Sequence, residues 1–179
     1  MKNYIAFLRG INISGKNKID MNELKASLTD AGFQNVSTYL NSGNIVFSTE
    51  SDDARQKIET VIKDRFQLEI PAYVISAHAL NDILAHAPSW WNTGDKGQYD
   101  NLIFILTEDS PKEICRLIGE PSEGLERIQV YKQVIFWTFD RKQYQKCSWW
   151  KKTASNGIAE RLTIRTANTV RKVCRQTGV

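Results

Sequence analysis

Residues 10–17 read Gly-Ile-Asn-Ile-Ser-Gly-Lys-Asn. The segment follows an apolar run and matches G-x-x-x-x-G-K, the first seven positions of a phosphate-binding loop. In such a loop backbone N–H groups cradle phosphate oxygens and the lysine adds charge. Three features argue against a nucleotide hydrolase. Position eight is Asn17, which lacks the hydroxyl that holds magnesium. The helix-start signal sits at Asp20 rather than at the lysine. A Gly-containing hairpin downstream indicates antiparallel pairing, whereas these hydrolases need a parallel sheet. What remains is a glycine-containing loop carrying Arg9, Asn12, Lys16 and Lys18, able to hold an anion by charge and backbone donors. A second polar set, Asn41, Ser42 and Asn44, lies in the hairpin turn. The asparagines also suit turns for their own sake, because Asn tolerates left-handed backbone and bonds its own chain.

His78, Asp82 and His86 are spaced i, i+4, i+8 and share one face of an expected helix. One adjacent pair has metal-ligand spacing, but the two histidines stand about 12 Å apart along the axis. They are the only histidines in the chain, so a solvated or hydrogen-bonded face is the favoured reading and a Ser-His-Asp or Cys-His machine is disfavoured. Asp52-Asp53 and Glu108-Asp109 sit where helices begin, where negative charge suits the dipole. Cys115, Cys147 and Cys174 are odd in number and widely spaced, which reads as reduced structural thiols. Cys147 lies beside Lys146, whose charge would favour its thiolate. No metal and no cofactor is expected.

The overall charge of +4 conceals a strong asymmetry. Residues 1–140 carry 14 basic and 19 acidic side chains, a net of −5; residues 141–179 carry 10 basic and one acidic, a net of +9. Trp149-Trp150-Lys151-Lys152 mixes stacking surfaces with cations, as single-strand binders do. A helix expected over 166–176 puts Ala167, Val170, Val173 and Cys174 on its apolar face and turns Arg171, Lys172 and Arg175 outward. With Arg165, these make a basic surface suited to phosphates. The plainer alternative is that the basic terminus packs on the acidic remainder, with both tryptophans in a core or an interface.

These residues need a scaffold, and 179 residues suffice for one large domain or two small ones. At 41% hydrophobic and 25% charged the composition is that of a folded globular protein. No apolar run approaches the roughly 18 residues of a membrane span, and no secretory signal is apparent, so a cytoplasmic protein is expected. Strands are expected over 3–8, 36–40, 45–47 and 70–75, with helices opened by Asp20 and by Ser51. That order is β-α-β-β-α-β. The second half begins in the same way. Asn101–Leu106 echoes Asn3–Leu8, Ser110-Pro111 with Glu113 caps a helix, and Val130–Phe136 echoes the first hairpin. The fold expected is α+β, two tandem ferredoxin-like units with mainly antiparallel sheets. Residues 1–76 would form the first, 77–98 a linking helix and loop, and 99–179 a degenerate second unit ending in the basic helix.

Arg9-Gly10-Ile11-Asn12, the Gly15-Lys16 loop, Met21–Leu28, Gly32-Phe33 and Thr38–Phe47 with its Ser42-Gly43-Asn44 closely resemble a bacterial family named domain of unknown function 1697. Near the C-terminus, Thr163–Val170 is similar to the family's Thr-Thr-Arg-Asn-Trp-Asn-Thr-Val, with Ile164, Thr166 and Ala167 departing from it. The resemblance implies a tandem ferredoxin-like fold and no established activity. The residues themselves point to a non-catalytic binder of a phosphate-bearing ligand, nucleic acid foremost. An enzyme acting on a small phosphorylated metabolite, or an assembly subunit anchored by its Trp pairs, are the alternatives.

Overall fold

In the computed structural model, which describes residues 1–179, the expected order of elements is present. Lys2–Leu8 form β1, Met21–Asp30 α1, Gln34–Tyr39 β2, Asn44–Thr49 β3, Ala54–Phe66 α2 and Ala72–Ser76 β4. Ala77–Ala85 form α3, followed by β5 (Gln98–Ile105), α4 (Pro111–Ile118), β6 (Glu126–Tyr131) and β7 (Val134–Asp140). A short 3-10 turn, α5 (Ser148–Thr153), a second 3-10 turn, β8 (Leu162–Thr166) and α6 (Ala167–Gln176) complete the chain. The protein is thus α+β, with two four-stranded antiparallel sheets of order β2-β3-β1-β4 and β6-β7-β5-β8. No helix is long and apolar enough to cross a membrane.

Local chemistry explains most boundaries. Asp20 accepts hydrogen bonds from the N–H groups of Asn22 and Glu23, each at 2.9 Å, and so starts α1. Gly32, at φ +97°, ends it: its N–H reaches Thr29 O while that of Phe33 reaches Leu28 O, which satisfies the last carbonyls. Ser110 caps α4 with Pro111 in the first turn, and Glu113 returns the bond in a full capping box. Two expected boundaries move. Helix α2 begins at Ala54 rather than Ser51, because Ser51 bonds Asp53 and the Thr49 hydroxyl in a turn. Strand β4 begins after Pro71, which has no N–H to give a ladder.

The chain divides into two units, Met1–Asp82 with Lys172–Val179, and Ile83–Arg171. In the first, Ala6 and Leu8 of β1 pack with Leu24 and Leu28 of α1, Ile58 and Ile62 of α2, and Phe33 and Phe47. The returning C-terminus is tied in by Asn3, whose Nδ2 donates to Thr177 O at 3.0 Å. In the second, Ile103 and Ile105 pack with Ile114 and Ile118 of α4, Trp137 and Trp149. Strand alternation sends Ile5, Phe7, Leu102 and Phe104 to the opposite faces, and all four are fully buried.

Within the second unit Arg161 Nη1 donates to Asp109 Oδ2 at 2.7 Å, joining the start of β8 to the segment before α4. The Thr107 hydroxyl and this guanidinium hold the Asp109 carboxyl below its ordinary range. A depressed carboxyl contributes stability above its unfolded pKa and loses it as pH falls through the folded one. Arg161→Ala is therefore expected to raise the Asp109 pKa, read from its carboxyl carbon in an NMR titration. An unmoved titration would show that the ion pair does not hold it.

Candidate functional site

The glycine loop is a miniature hairpin. Ser14 and Gly15 both take positive φ, +49° and +75°, between the bridged residues Ile13 and Lys16, whose N–H reaches Ile13 O at 2.8 Å. Two left-handed central residues define a type I′ turn, so Gly-Lys here makes a turn and does not open a helix. Helix α1 starts only at Met21.

Asn12, itself at φ +54°, organises the loop from within. Its Oδ1 accepts from Ile19 N at 2.9 Å, and its Nδ2 donates to Ile19 O at 3.0 Å and to Asn41 O at 2.8 Å. Asn17 Nδ2 adds a bond to Gly10 O at 2.8 Å. The bond to Asn41 brings the loop and the β2–β3 turn together. They meet because β1 pairs antiparallel with β3, with Phe7 opposite Asn44, so the end of one strand faces the start of the other. Leu8 N donates to Gly43 O at 2.8 Å across the same junction.

The polar residues of the two segments have different roles. Asn44 is fully buried and donates to Tyr39 O at 2.8 Å and to the Ser42 hydroxyl at 3.0 Å, so it builds the turn. Asn41 contributes its carbonyl to the clamp. Arg9 is half-buried, while Lys16 and Lys18 are exposed. The N–H groups of Ser14, Gly15 and Lys18 take no part in the bonds above.

The C-terminal candidates separate more sharply. Trp149 is fully buried against Trp137, its Nε1 donating to Gly119 O at 2.8 Å, so it has no face to offer a base. Arg165 is only 9% exposed, with Nη1 on the Thr163 hydroxyl and Ile164 O, and burial lowers its pKa to about 10. It is not a surface phosphate contact. Lys152 is anchored too, its Nζ donating to Ile118 O at 2.7 Å at the end of α4. Trp150, 39% exposed and edge-on to Tyr144, remains at the surface beside Lys151. Lys172 and Arg175 are exposed on α6, and Arg171 is half-buried.

His78 is exposed, and His86, beyond the end of α3, stacks on Tyr131 with centroids 4.7 Å apart. The expectation for Cys147 is reversed. Its thiol is buried, and desolvation with the nearby Glu126 charge raises its pKa, outweighing the opposing charge of Lys151. Two carboxylates escaped the reading of the sequence. Glu126 is 5% exposed and accepts from the N–H groups of Ser122, Trp149 and Trp150. Asp100 lies in the half-buried first part of β5, before its fully buried run from Asn101 to Ile105. An acidic residue inside a strand pattern was the available signal for both.

Comparison with known proteins places this geometry. The conserved bacterial protein SP0830 from Streptococcus pneumoniae is similar over 98% of each chain, with a TM-score of 0.85 and 27% sequence identity. No curated protein matches. A family model described as "Protein of unknown function (DUF1697)" matches residues 1–136, the stretch that contains both the loop and the turn. The chain belongs to that family, DUF1697.

Proposed function

We propose that the protein is a non-catalytic binder of a phosphate-bearing ligand, received by the Arg9–Lys18 loop where the β2–β3 turn braces it. The observation that carries this reading is the Asn12 clamp, which fixes the loop by three hydrogen bonds while Lys16 and Lys18 stay exposed. A loop already held in shape loses little freedom on binding an anion. Nucleic acid is the favoured ligand, because Trp150, Lys151, Lys172 and Arg175 add an exposed aromatic and further cations.

The test is fluorescence anisotropy with a single-stranded oligonucleotide at low ionic strength. Lys16→Glu with Lys18→Glu is expected to weaken binding at least tenfold and to lower the salt slope by about 2. Absence of binding at low salt, or an unchanged double variant, would remove the reading. An enzyme acting on a small phosphorylated metabolite is the second reading, favoured by the meeting of loop and turn at one end of the sheet. Turnover of such a compound, abolished by Asn12→Ala, is its test.

We also infer that each unit is a ferredoxin-like unit and that the pair arose by duplication. The matching strand orders, β2-β3-β1-β4 and β6-β7-β5-β8, support this. A superposition of the units that set their helices on opposite sheet faces would count against it.

A further inference from the structure

Strand β6 is an edge of its sheet and pairs with β7 alone. Tyr131 stands opposite Val134 across a two-residue turn, so these two exchange backbone hydrogen bonds. Alternation then turns the N–H and C=O of Gln129 and Arg127 toward β7 as well. The same phase continues past the strand, where Asp140 N donates to Leu125 O at 2.9 Å. The N–H and C=O of Ile128 and Val130 therefore point outward, with no strand of the sheet beyond them. Arg127 and Gln129 are exposed, Val130 is 40% exposed, and Ile128 and Tyr131 are half-buried.

The other edges are less open. Strand β2 carries a bulge between Gln34 and Ser37, with Asn35 at φ +52°, and a bulge turns an edge away from further pairing. No residue of β4 or β8, the two remaining edges, is exposed. Strand β6 holds an unbroken register with β7 from Glu126 to Tyr131 and contains no proline. A regular edge of this kind is a template for another strand.

The edge is also its own complement. Antiparallel pairing about a two-fold axis at Gln129 sets Ile128 opposite Val130 of a second copy, and Val130 opposite its Ile128. Both outward residues then exchange hydrogen bonds, and their apolar side chains lie together on one face. Arg127 falls opposite Tyr131 of the copy, a cation across from an aromatic, and no charged residue stands opposite its like. Gln129 meets Gln129 in a pair without hydrogen bonds, where side chains come closest. We propose that two copies of this chain pair through β6, antiparallel about Gln129, so that their second-unit sheets become one. No residue of the Arg9–Lys18 loop takes part, so this contact stands or falls apart from the phosphate reading.

The test is sedimentation equilibrium of the full chain. A dimer with a Kd below about 100 µM is expected, weak because two short edges bury little surface. Gln129→Lys and Gln129→Glu each set like charges face to face, and each is expected to weaken the dimer about tenfold. An equimolar mixture of the two variants is expected to restore it, since opposite charges then meet. Val130→Pro removes an outward N–H and no bond to β7, and is expected to weaken the dimer about tenfold as well. Gln34→Lys, on the bulged edge, is expected to leave it unchanged. A chain that stays monomeric at about 1 mM would overturn the proposal and leave the edge to a foreign strand. A dimer that survives both charge variants, or a mixture no tighter than either variant alone, would overturn it by placing the contact elsewhere.

Discussion

Gly43→Ala is expected to destabilise the protein by about 4 kcal/mol, the sum of strain, overpacking and a weakened hydrogen bond. Gly43 sits at φ +85°, where an L-residue is strained by about 1–2 kcal/mol. A Cβ there would lie 2.7 Å from Leu8 Cβ and 2.9 Å from Ile11 Cδ1. Neither neighbour has room to yield, since Leu8 is 0% and Ile11 2% exposed. Overpacking of that kind adds about 1–3 kcal/mol. The push also works against the bond from Leu8 N to Gly43 O. Gly10→Ala is the control, with φ +71° and nothing within 4 Å of its added Cβ, so it carries the strain alone. Urea unfolding of the two variants separates the effects. A Gly43→Ala loss no larger than that of Gly10→Ala would show that the turn does not press on the loop. The same substitution should weaken oligonucleotide binding, because the turn that it displaces braces the Asn12 clamp.

The junction between turn and loop shows where sequence reading reaches its limit. The helix starts at Asp20 and Ser110 and the stop at Gly32 were legible because each depends on residues within one turn of helix. The β2–β3 hairpin was legible for the same reason. That β1 lies against β3, with Phe7 opposite Asn44, is a long-range choice that alternation does not encode. Without it the Arg9–Lys18 loop and Asn41–Asn44 are two unrelated polar segments. The basic C-terminus shows a similar divide. Charge segregation correctly put Lys151, Lys172 and Arg175 at the surface, since charged side chains rarely lose water without a partner. Trp149 and Trp150 were indistinguishable, because α5 has six residues, too few for a periodic pattern. Cys147 was misread because its sequence neighbour is Lys146, while in space burial first and the Glu126 charge second push its pKa up.

Glu126 is also the residue whose loss should do most damage in the second unit. At 5% exposure it accepts from Ser122 N at 2.9 Å, Trp149 N at 3.2 Å, Trp150 N at 3.3 Å and the Trp137 indole N–H at 3.3 Å. The Ser148 hydroxyl adds a bond at 3.3 Å. A six-residue helix has little cooperativity of its own, so this carboxylate acts as the missing cap of α5. Glu126→Ala strands two buried donors, Trp149 N and the Trp137 indole N–H, each worth about 1–3 kcal/mol when left unsatisfied, and two half-buried ones, Ser122 N and Trp150 N. Relief of the buried charge offsets part of that, which leaves an expected net loss of about 4 kcal/mol. Glu126→Gln keeps one acceptor but turns an amide NH2 toward other donors, and is expected to lose about 2 kcal/mol. Glu120→Ala, at an exposed acid nearby, should stay within about 0.5 kcal/mol. Thermal unfolding ranks the three, and a loss below about 1 kcal/mol in the alanine variant, short of one hydrogen bond, would refute the capping role. The glutamine variant, which should remain folded, also probes function. Loosening α5 moves Trp150 and Lys151, so nucleic-acid binding that relies on them should fall with it. Binding that survives unchanged would trace the affinity to the Arg9–Lys18 loop alone.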